Sequence, residues 1–164
     1  MKALTNREWG FESNCFVCEP LNSAGLRIPF FHDEDAGVVT AGFELDDRFS
    51  GAPAYAHGGV LLAILDEAMA WAAIAVANRW AMTGETTTRF AHPVRVGRAY
   101  RVIARITQAP RDGSSTLRAS AEIVDAKGRL CASSTATFVV LGDAEAADAV
   151  GVAVGEIDAA WTRS

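Results

Sequence analysis

The chain has 164 residues, of which 50% are hydrophobic and 21% are charged, and 20 acidic residues against 15 basic ones give a net charge of −5. This length and composition are typical of one soluble globular domain with a substantial core. The acidic balance, without basic runs interleaved with aromatic residues, argues against a nucleic-acid-binding protein.

The first 25 residues are predicted to be irregular. They contain no apolar stretch of the kind that a signal peptide needs, so we expect a cytoplasmic protein. Three cysteines, Cys15, Cys18 and Cys131, give no disulfide framework, which agrees with a reducing compartment. Cys15 and Cys18 have the spacing of metal ligands, but no second Cys or His pair accompanies them, so no metal site is predicted.

Two strands are predicted ahead of a long helix. The stretches 26–31 and 36–45 have the composition of strands, and a polar turn, "HDEDAG", joins them. A loop with Gly and Pro follows. The helix is then predicted to begin near His57 and to fade beyond Ala77.

The predicted helix is apolar on all sides except for two adjacent carboxylates. Between Val60 and Ala77, every residue other than Asp66 and Glu67 is Ala, Val, Leu, Ile, Met or Trp. Such a helix is nearly long enough to span a bilayer, but two central carboxylates favour the core helix of a soluble protein. An interior carboxylate without a partner is costly, so the carboxylates of Asp66 and Glu67 must be protonated, paired with other groups, or used in the function of the protein.

Four β-like stretches follow the helix, at 84–97, 99–109, 116–126 and 130–142. The predicted order ββ–α–ββββ is an α+β domain, in which an antiparallel sheet of five to six strands surrounds one helix. Such a sheet must curl around an all-round apolar helix, or a second copy must cover what remains, which indicates a homo-oligomer.

The domain is predicted to span residues 1–141. The remaining segment, 142–164, is acidic and rich in Ala, and it is predicted to be either helical or disordered, with Trp161 as a docking candidate.

The start of the helix is a candidate binding site. At "His57-Gly58-Gly59", the first backbone N–H groups of the helix have no partner within it, and the helix dipole favours negative charge there. Gly58 is therefore a candidate donor to a carbonyl oxygen that becomes an oxyanion. Two glycines before a helix are more often only a turn, and a His there is more often structural.

Asp66 follows Gly58 by eight residues, or about 12 Å along a helix axis. A group that attacks a carbonyl must lie within about 3–3.5 Å of its carbon, so one helix cannot supply both the oxygen-binding N–H and the attacking carboxylate. Two antiparallel helices in a two-fold dimer can supply both. The alternative is that Asp66 is a buried carboxylate held by backbone or Arg partners.

Glu67 lies about 100° further round the helix than Asp66, so it is expected to reach solvent, an arginine or the subunit interface. The segment from Arg89 to Arg129 is basic, with nine Lys/Arg against three Asp/Glu. Arg89 and Arg95 are therefore candidates to meet the phosphates of a ligand, although arginines on the solvent face of a hairpin are the commoner case.

Three segments together resemble the hotdog-fold thioesterases, particularly the group similar to the phenylacetic-acid-pathway thioesterase. The segments are "CFVCEPLNSAGLRIPFF", "AHGGVLLAILDEAMAWAA" and "TTTRFAHPVRVG", and the resemblance covers about residues 14–141. It implies a dimer, often a dimer of dimers, that hydrolyses acyl-coenzyme A without metal or organic cofactor, since coenzyme A is part of the substrate.

The resemblance also implies site residues. Asp66 is the catalytic carboxylate, Gly58 is the donor to the thioester oxygen from the partner subunit, and Thr83 helps to orient water. The substrate-binding candidates are His57, Gly59, Glu67, Arg89 and Arg95. Relatives often carry Asn or Gln shortly before the HGG motif, whereas this chain has only Ser50 and Tyr55 as polar candidates there.

Two other functions remain open on the sequence. A hotdog dehydratase or hydratase would use a His with a carboxylate, and His57 and Asp66 supply those residue types. A non-catalytic acyl-CoA-binding hotdog protein would explain the missing Asn or Gln.

Overall fold

A long helix and a large antiparallel sheet make up most of the structure. The computed structural model describes residues 1–110 and 115–151. Within these ranges the elements in chain order are β1 Lys2–Leu4, β2 Phe30–Asp33, β3 Val38–Glu44, β4 Ser50–Ala52, β5 Tyr55–Ala56, α1 Gly58–Ala75, β6 Ala81–Phe90, β7 Ala99–Gln108, β8 Thr116–Asp125, β9 Leu130–Val140 and α2 Asp143–Val150.

The described strands form one seven-stranded sheet in the order β1-β2-β3-β7-β8-β9-β6, and β4 pairs with β5 in a separate ribbon. All pairs in the large sheet are antiparallel. This arrangement confirms the predicted α+β class and the order of the main elements. The sheet has one strand more than expected because Lys2–Leu4, in the segment predicted to be irregular, pairs with β2 and buries Leu4.

The sheet surrounds α1, which packs against β2, β3, β6, β7, β8 and β9. Residues from every turn of the helix are buried, among them Ile64, Leu65, Met69 and Ala72. By length and composition alone α1 could cross a membrane, but half of it is buried inside this domain. The rest of its apolar surface still needs cover, because apolar side chains lie on all of its faces.

The end of α1 has a local cause. The backbone turns left-handed at Asn78, whose φ is 52°, and Arg79 N–H donates to the Ala73 carbonyl. The helix therefore closes at Ala75, slightly before the predicted end.

Part of the acidic tail forms α2, which buries Ala146 and Ala147. The prediction for Trp161 lies outside the described residues, as do residues 111–114 of the predicted turn between β7 and β8.

Candidate functional site

The Asp66 carboxylate, near the middle of α1, has one hydrogen-bond donor in the described part of the chain. Thr83 Oγ1 donates to Asp66 Oδ1 at 2.8 Å. Asp66 Oδ2 has no donor among these residues. The side chain of Asp66 is partly exposed, and Thr83 is exposed on the edge strand β6. One oxygen of the carboxylate is thus held in place while the other is available to a ligand or a water molecule.

A β-bulge turns Thr83 toward α1. Thr83 pairs with the buried Phe138, and Glu85 pairs with Thr137, so Gly84 is the extra residue between them. Residues directly opposite each other in an antiparallel pair share a face of the sheet. The bulge therefore places Thr83 on the face that packs on the helix, a position that strict alternation would give to residue 84.

The first turn of α1 leaves one backbone donor free. His57 is the N-cap, and its Nδ1 accepts the Gly59 N–H at 2.9 Å. The N–H groups of Val60 and Leu61 donate to the His57 carbonyl. Gly58 N–H alone among these first donors has no acceptor in the described residues. The sequence predicted this group as the oxyanion donor, and the hydrogen bonding leaves it available for that role.

A mostly apolar cavity of about 260 Å³ lies beside Gly58. Its size and lining suit an apolar part of a ligand. Its lining residues are Tyr55, Ala56, Gly58, Leu61, Phe90, Ala91, His92, Pro93 and Val94.

The structure does not bring Gly58 and Asp66 together within one chain. Both lie on the uninterrupted helix α1, and eight residues of helix separate them by about 12 Å along the axis. His57 and Gly59 lie with Gly58 at the start of the helix, whereas Thr83 lies with Asp66. The predicted site residues therefore form two groups in a single chain.

The two candidate arginines lie in different places. Arg95 is exposed near the cavity, where its Nη2 donates to the Tyr55 hydroxyl at 3.1 Å and its guanidinium lies 4.9 Å from the centre of the Tyr55 ring. Arg89 pairs with Ser133 and lies on the face of the sheet that points away from α1. Of the two, Arg95 is the one that contacts Tyr55, a lining residue of the cavity beside Gly58.

Glu67 points to a different neighbourhood from Asp66. Its Oε1 lies 3.4 Å from Cys15 Sγ, which the sequence analysis did not anticipate. Burial, and after it the charge of Cys15, raises the pKa of Glu67 to about 8. A hydrogen bond from Cys18 and further bonds from backbone N–H groups lower the pKa of Cys15 to about 5. The hydrogen bond to Cys15, with burial, raises the pKa of Cys18.

Part of the chain matches a known protein family. Residues 54–132 match the model of the thioesterase superfamily, a segment that contains α1, β6 and both groups of site residues. Over these residues the chain is similar to the thioesterase superfamily, and its fold is the hotdog fold of that superfamily. By sequence, it matches no curated protein.

Solved structures agree with that fold. A thioesterase superfamily protein is 23% identical over 80% of this chain and 67% of its own, with a TM-score of 0.70. The PaaI protein of the phenylacetic acid degradation operon of E. coli is 21% identical over 71% of this chain and 81% of its own, with a TM-score of 0.63. A Streptococcus mutans UA159 protein bound to acetyl-CoA is 20% identical over 65% of this chain and 82% of its own, with a TM-score of 0.59.

Proposed function

We propose that this hotdog protein hydrolyses an acyl-coenzyme A thioester to a carboxylic acid and free coenzyme A. The observation that carries the proposal is the Asp66 carboxylate, held at 2.8 Å by Thr83 in the middle of a helix whose only other charged residue is Glu67. The similarity of residues 54–132 to the thioesterase superfamily supports the reaction class. The acetyl-CoA bound by the similarly folded S. mutans protein supports the ligand class.

In the proposed reaction, Asp66 Oδ2 either removes a proton from an attacking water or attacks the thioester carbon itself. In either route the C–S bond breaks, the sulfur takes a proton to become free coenzyme A, and water supplies the hydroxyl of the acid. Gly58 N–H donates to the carbonyl oxygen as negative charge develops on it. Thr83 keeps the carboxylate in the required orientation.

The proposed site lies between two subunits. Since about 12 Å of helix separates Gly58 from Asp66, the carbonyl must meet Gly58 of one subunit and Asp66 of the other. A two-fold homodimer with antiparallel α1 helices satisfies this requirement and contains two sites. Two such dimers could pair as a homotetramer.

The remaining assignments concern the substrate. The apolar cavity beside Gly58 would receive part of the acyl group. His57 and Gly59, the chain neighbours of Gly58, would contact the substrate at the start of the helix, and Arg95 would meet a phosphate of coenzyme A. Arg89 and Glu67 remain weaker candidates for substrate contact, because Arg89 faces away from α1 and Glu67 lies against Cys15. The proposed enzyme is cytoplasmic, and its reaction uses no metal or organic cofactor.

The test is thiol release from a panel of acyl-CoAs, read with a thiol-reactive dye. We expect Asp66→Asn to lower turnover by about 10²–10⁴-fold in a protein that still folds and dimerises. Glu85→Gln is the matched control, because it removes one negative charge from β6 two residues from Thr83. Unchanged turnover in Asp66→Asn would refute the proposal. Saturable acyl-CoA binding without thiol release would identify a non-catalytic binder. Formation of an unsaturated product would identify a dehydratase.

A further inference from the structure

Two cysteines and a glutamate converge where the N-terminal segment meets α1. The Sγ atoms of Cys15 and Cys18 and a carboxylate oxygen of Glu67 all lie within 4.8 Å of one another. Ligand atoms on one tetrahedral zinc ion lie about 3.5–3.8 Å apart, as bonds of about 2.0–2.3 Å require. The 3.4 Å distance from Cys15 Sγ to Glu67 Oε1 is close to that value, so the three atoms can reach one ion through small side-chain shifts.

We propose that Cys15, Cys18 and Glu67 bind a divalent transition metal ion of the zinc class, with water as the fourth ligand. Two thiolates favour zinc over magnesium or calcium, and a carboxylate completes a ligand set that zinc accepts. The ion would fasten the turn at residues 15–18 to the central helix, which is a structural role. This proposal does not depend on the thioesterase reaction.

Hydrogen-bond donors lie beside both sulfur atoms. The backbone N–H groups of Val17 and Cys18 lie 3.3 Å and 3.5 Å from Cys15 Sγ and donate to it. The side-chain amide of Asn6, a buried residue, lies 3.8 Å from Cys18 Sγ. Donors to sulfur stabilise the deprotonated form that binds metal and orient the ligands around the ion.

Glu67 has no basic partner in the described part of the chain. In residues 1–110 and 115–151, the salt bridges join Arg7 to Glu12, Arg48 to Asp46 and Arg129 to Asp125, and none involves Glu67. Glu67 thus lies on an apolar helix, beside two thiols, without a basic side chain to pair with it. A carboxyl group in such surroundings is protonated, paired or bound to a metal, and a divalent ion would let Glu67 and the two cysteines bind in their deprotonated forms.

The test is metal binding by the reduced, metal-free full chain. Titration with ZnCl₂ in a calorimeter should show one bound ion per chain. In a separate thermal scan, the protein with bound Zn²⁺ should have a higher melting temperature than the metal-free protein. Titration with CoCl₂ should produce a near-ultraviolet thiolate-to-cobalt absorption band. Cys15→Ser, Cys18→Ser and Glu67→Gln should each weaken Zn²⁺ binding by at least about tenfold, since loss of even an outer partner costs about 10–100-fold.

The matched control is Cys131→Ala, which removes the third cysteine, a residue buried in β9. It should bind one Zn²⁺ with unchanged affinity. Circular dichroism checks the fold of each variant, and Glu67→Gln, which keeps the size of the side chain, carries the test if a cysteine variant does not fold. The proposal is wrong if the reduced wild-type chain takes up no Zn²⁺, if Glu67→Gln binds it as tightly, or if Cys131→Ala loses it.

Discussion

The hydrogen bond from Thr83 to Asp66 can be tested by a substitution that removes only the donor hydroxyl. Thr83→Val keeps the branched shape that suits a strand but removes the hydroxyl. A hydrogen bond to a charged group contributes about 1.5–3 kcal/mol, which corresponds to about tenfold to a hundredfold in rate. We therefore expect kcat for thiol release to fall by about that factor while KM changes little, because Thr83 orients the carboxylate rather than the substrate.

Two further variants give that experiment its controls. Thr83→Ser restores the hydroxyl and should recover most of the activity. Thr87→Val removes a hydroxyl from an exposed position on the same strand and should leave kcat unchanged. Equal activity in Thr83→Val and the wild type would show that Asp66 does not need this donor.

Gly58 can be tested through its N–H group directly. Proline has no N–H and is favoured at the first position of a helix, where its fixed φ fits, and the extended backbone of His57 suits a residue before proline. Loss of one oxyanion donor costs about 10²–10³-fold in kcat, so Gly58→Pro should lose that much thiol release while still folding.

Gly58→Ala tests whether the role of Gly58 depends on its N–H group or on the space that the missing side chain leaves. An added Cβ would lie 3.5 Å from the Phe90 ring, an ordinary van der Waals contact. The alanine variant should therefore be markedly more active than the proline variant. If both lose activity equally, the glycine serves to leave room for the ligand and the N–H has no catalytic role.

The sequence could point to Asp66 and Gly58 because their environment is visible in one short segment. A carboxylate in an apolar helix is unusual by itself, and a glycine pair at a helix start offers free N–H groups. The partnership of Glu67 with Cys15 and Cys18 was hidden, because 52 residues separate Glu67 from Cys15. A search for cysteine or histidine pairs also passes over a carboxylate as the third ligand.

The start of α1 raises a question about His57, which both caps the helix and borders the proposed site. Removal of an N-cap costs about 0.5–2 kcal/mol, so His57→Ala should lower the free energy of unfolding by that amount. His57→Asn should preserve stability, because the asparagine side chain can accept the Gly59 N–H in place of Nδ1. Urea denaturation at one fixed protein concentration measures both.

Thiol release by the same variants then separates the two roles. If His57→Asn restores both activity and stability, His57 serves only as a capping residue. If His57→Asn is stable but its activity stays low, the imidazole ring of His57 contacts the substrate. Wild-type stability in His57→Ala would show that the cap contributes nothing.

The long elements were predictable because their periodicity extends over many residues, as in α1 and the β7–β9 meander. Short or irregular features were not. Three residues are too few for β1 to show an alternating pattern, and the bulge at Gly84 is set by its pairing with β9. Without the bulge, alternation alone would not place Thr83 toward the helix, so its position came from the family resemblance.

The surface of the single chain agrees with the proposed homodimer. β6 is an edge strand of ten residues, and Met82 and Phe90 on it are more than half exposed. A long edge strand with exposed apolar side chains invites pairing with another chain. The same strand carries Thr83, so an interface along β6 would lie next to the proposed site.

A mixed dimer tests whether Asp66 and Gly58 act across that interface. Asp66→Asn and Gly58→Pro should each be nearly inactive alone. In a dimer with one subunit of each kind, one site has both defects and the other has neither. If equal amounts assemble at random, half of the dimers are mixed and each has one intact site, so about a quarter of the wild-type activity should return.

The measurement is thiol release after the two variants, carrying different affinity tags, are coexpressed and purified through both tags in turn. The mixed dimers should then have about half of the wild-type activity per dimer. Dimers that carry both tags but remain as inactive as the parents would show that Asp66 and Gly58 of different subunits do not complete one site. Because about 12 Å of helix separates those two groups, that result would also remove Gly58 as the donor to a thioester that Asp66 attacks.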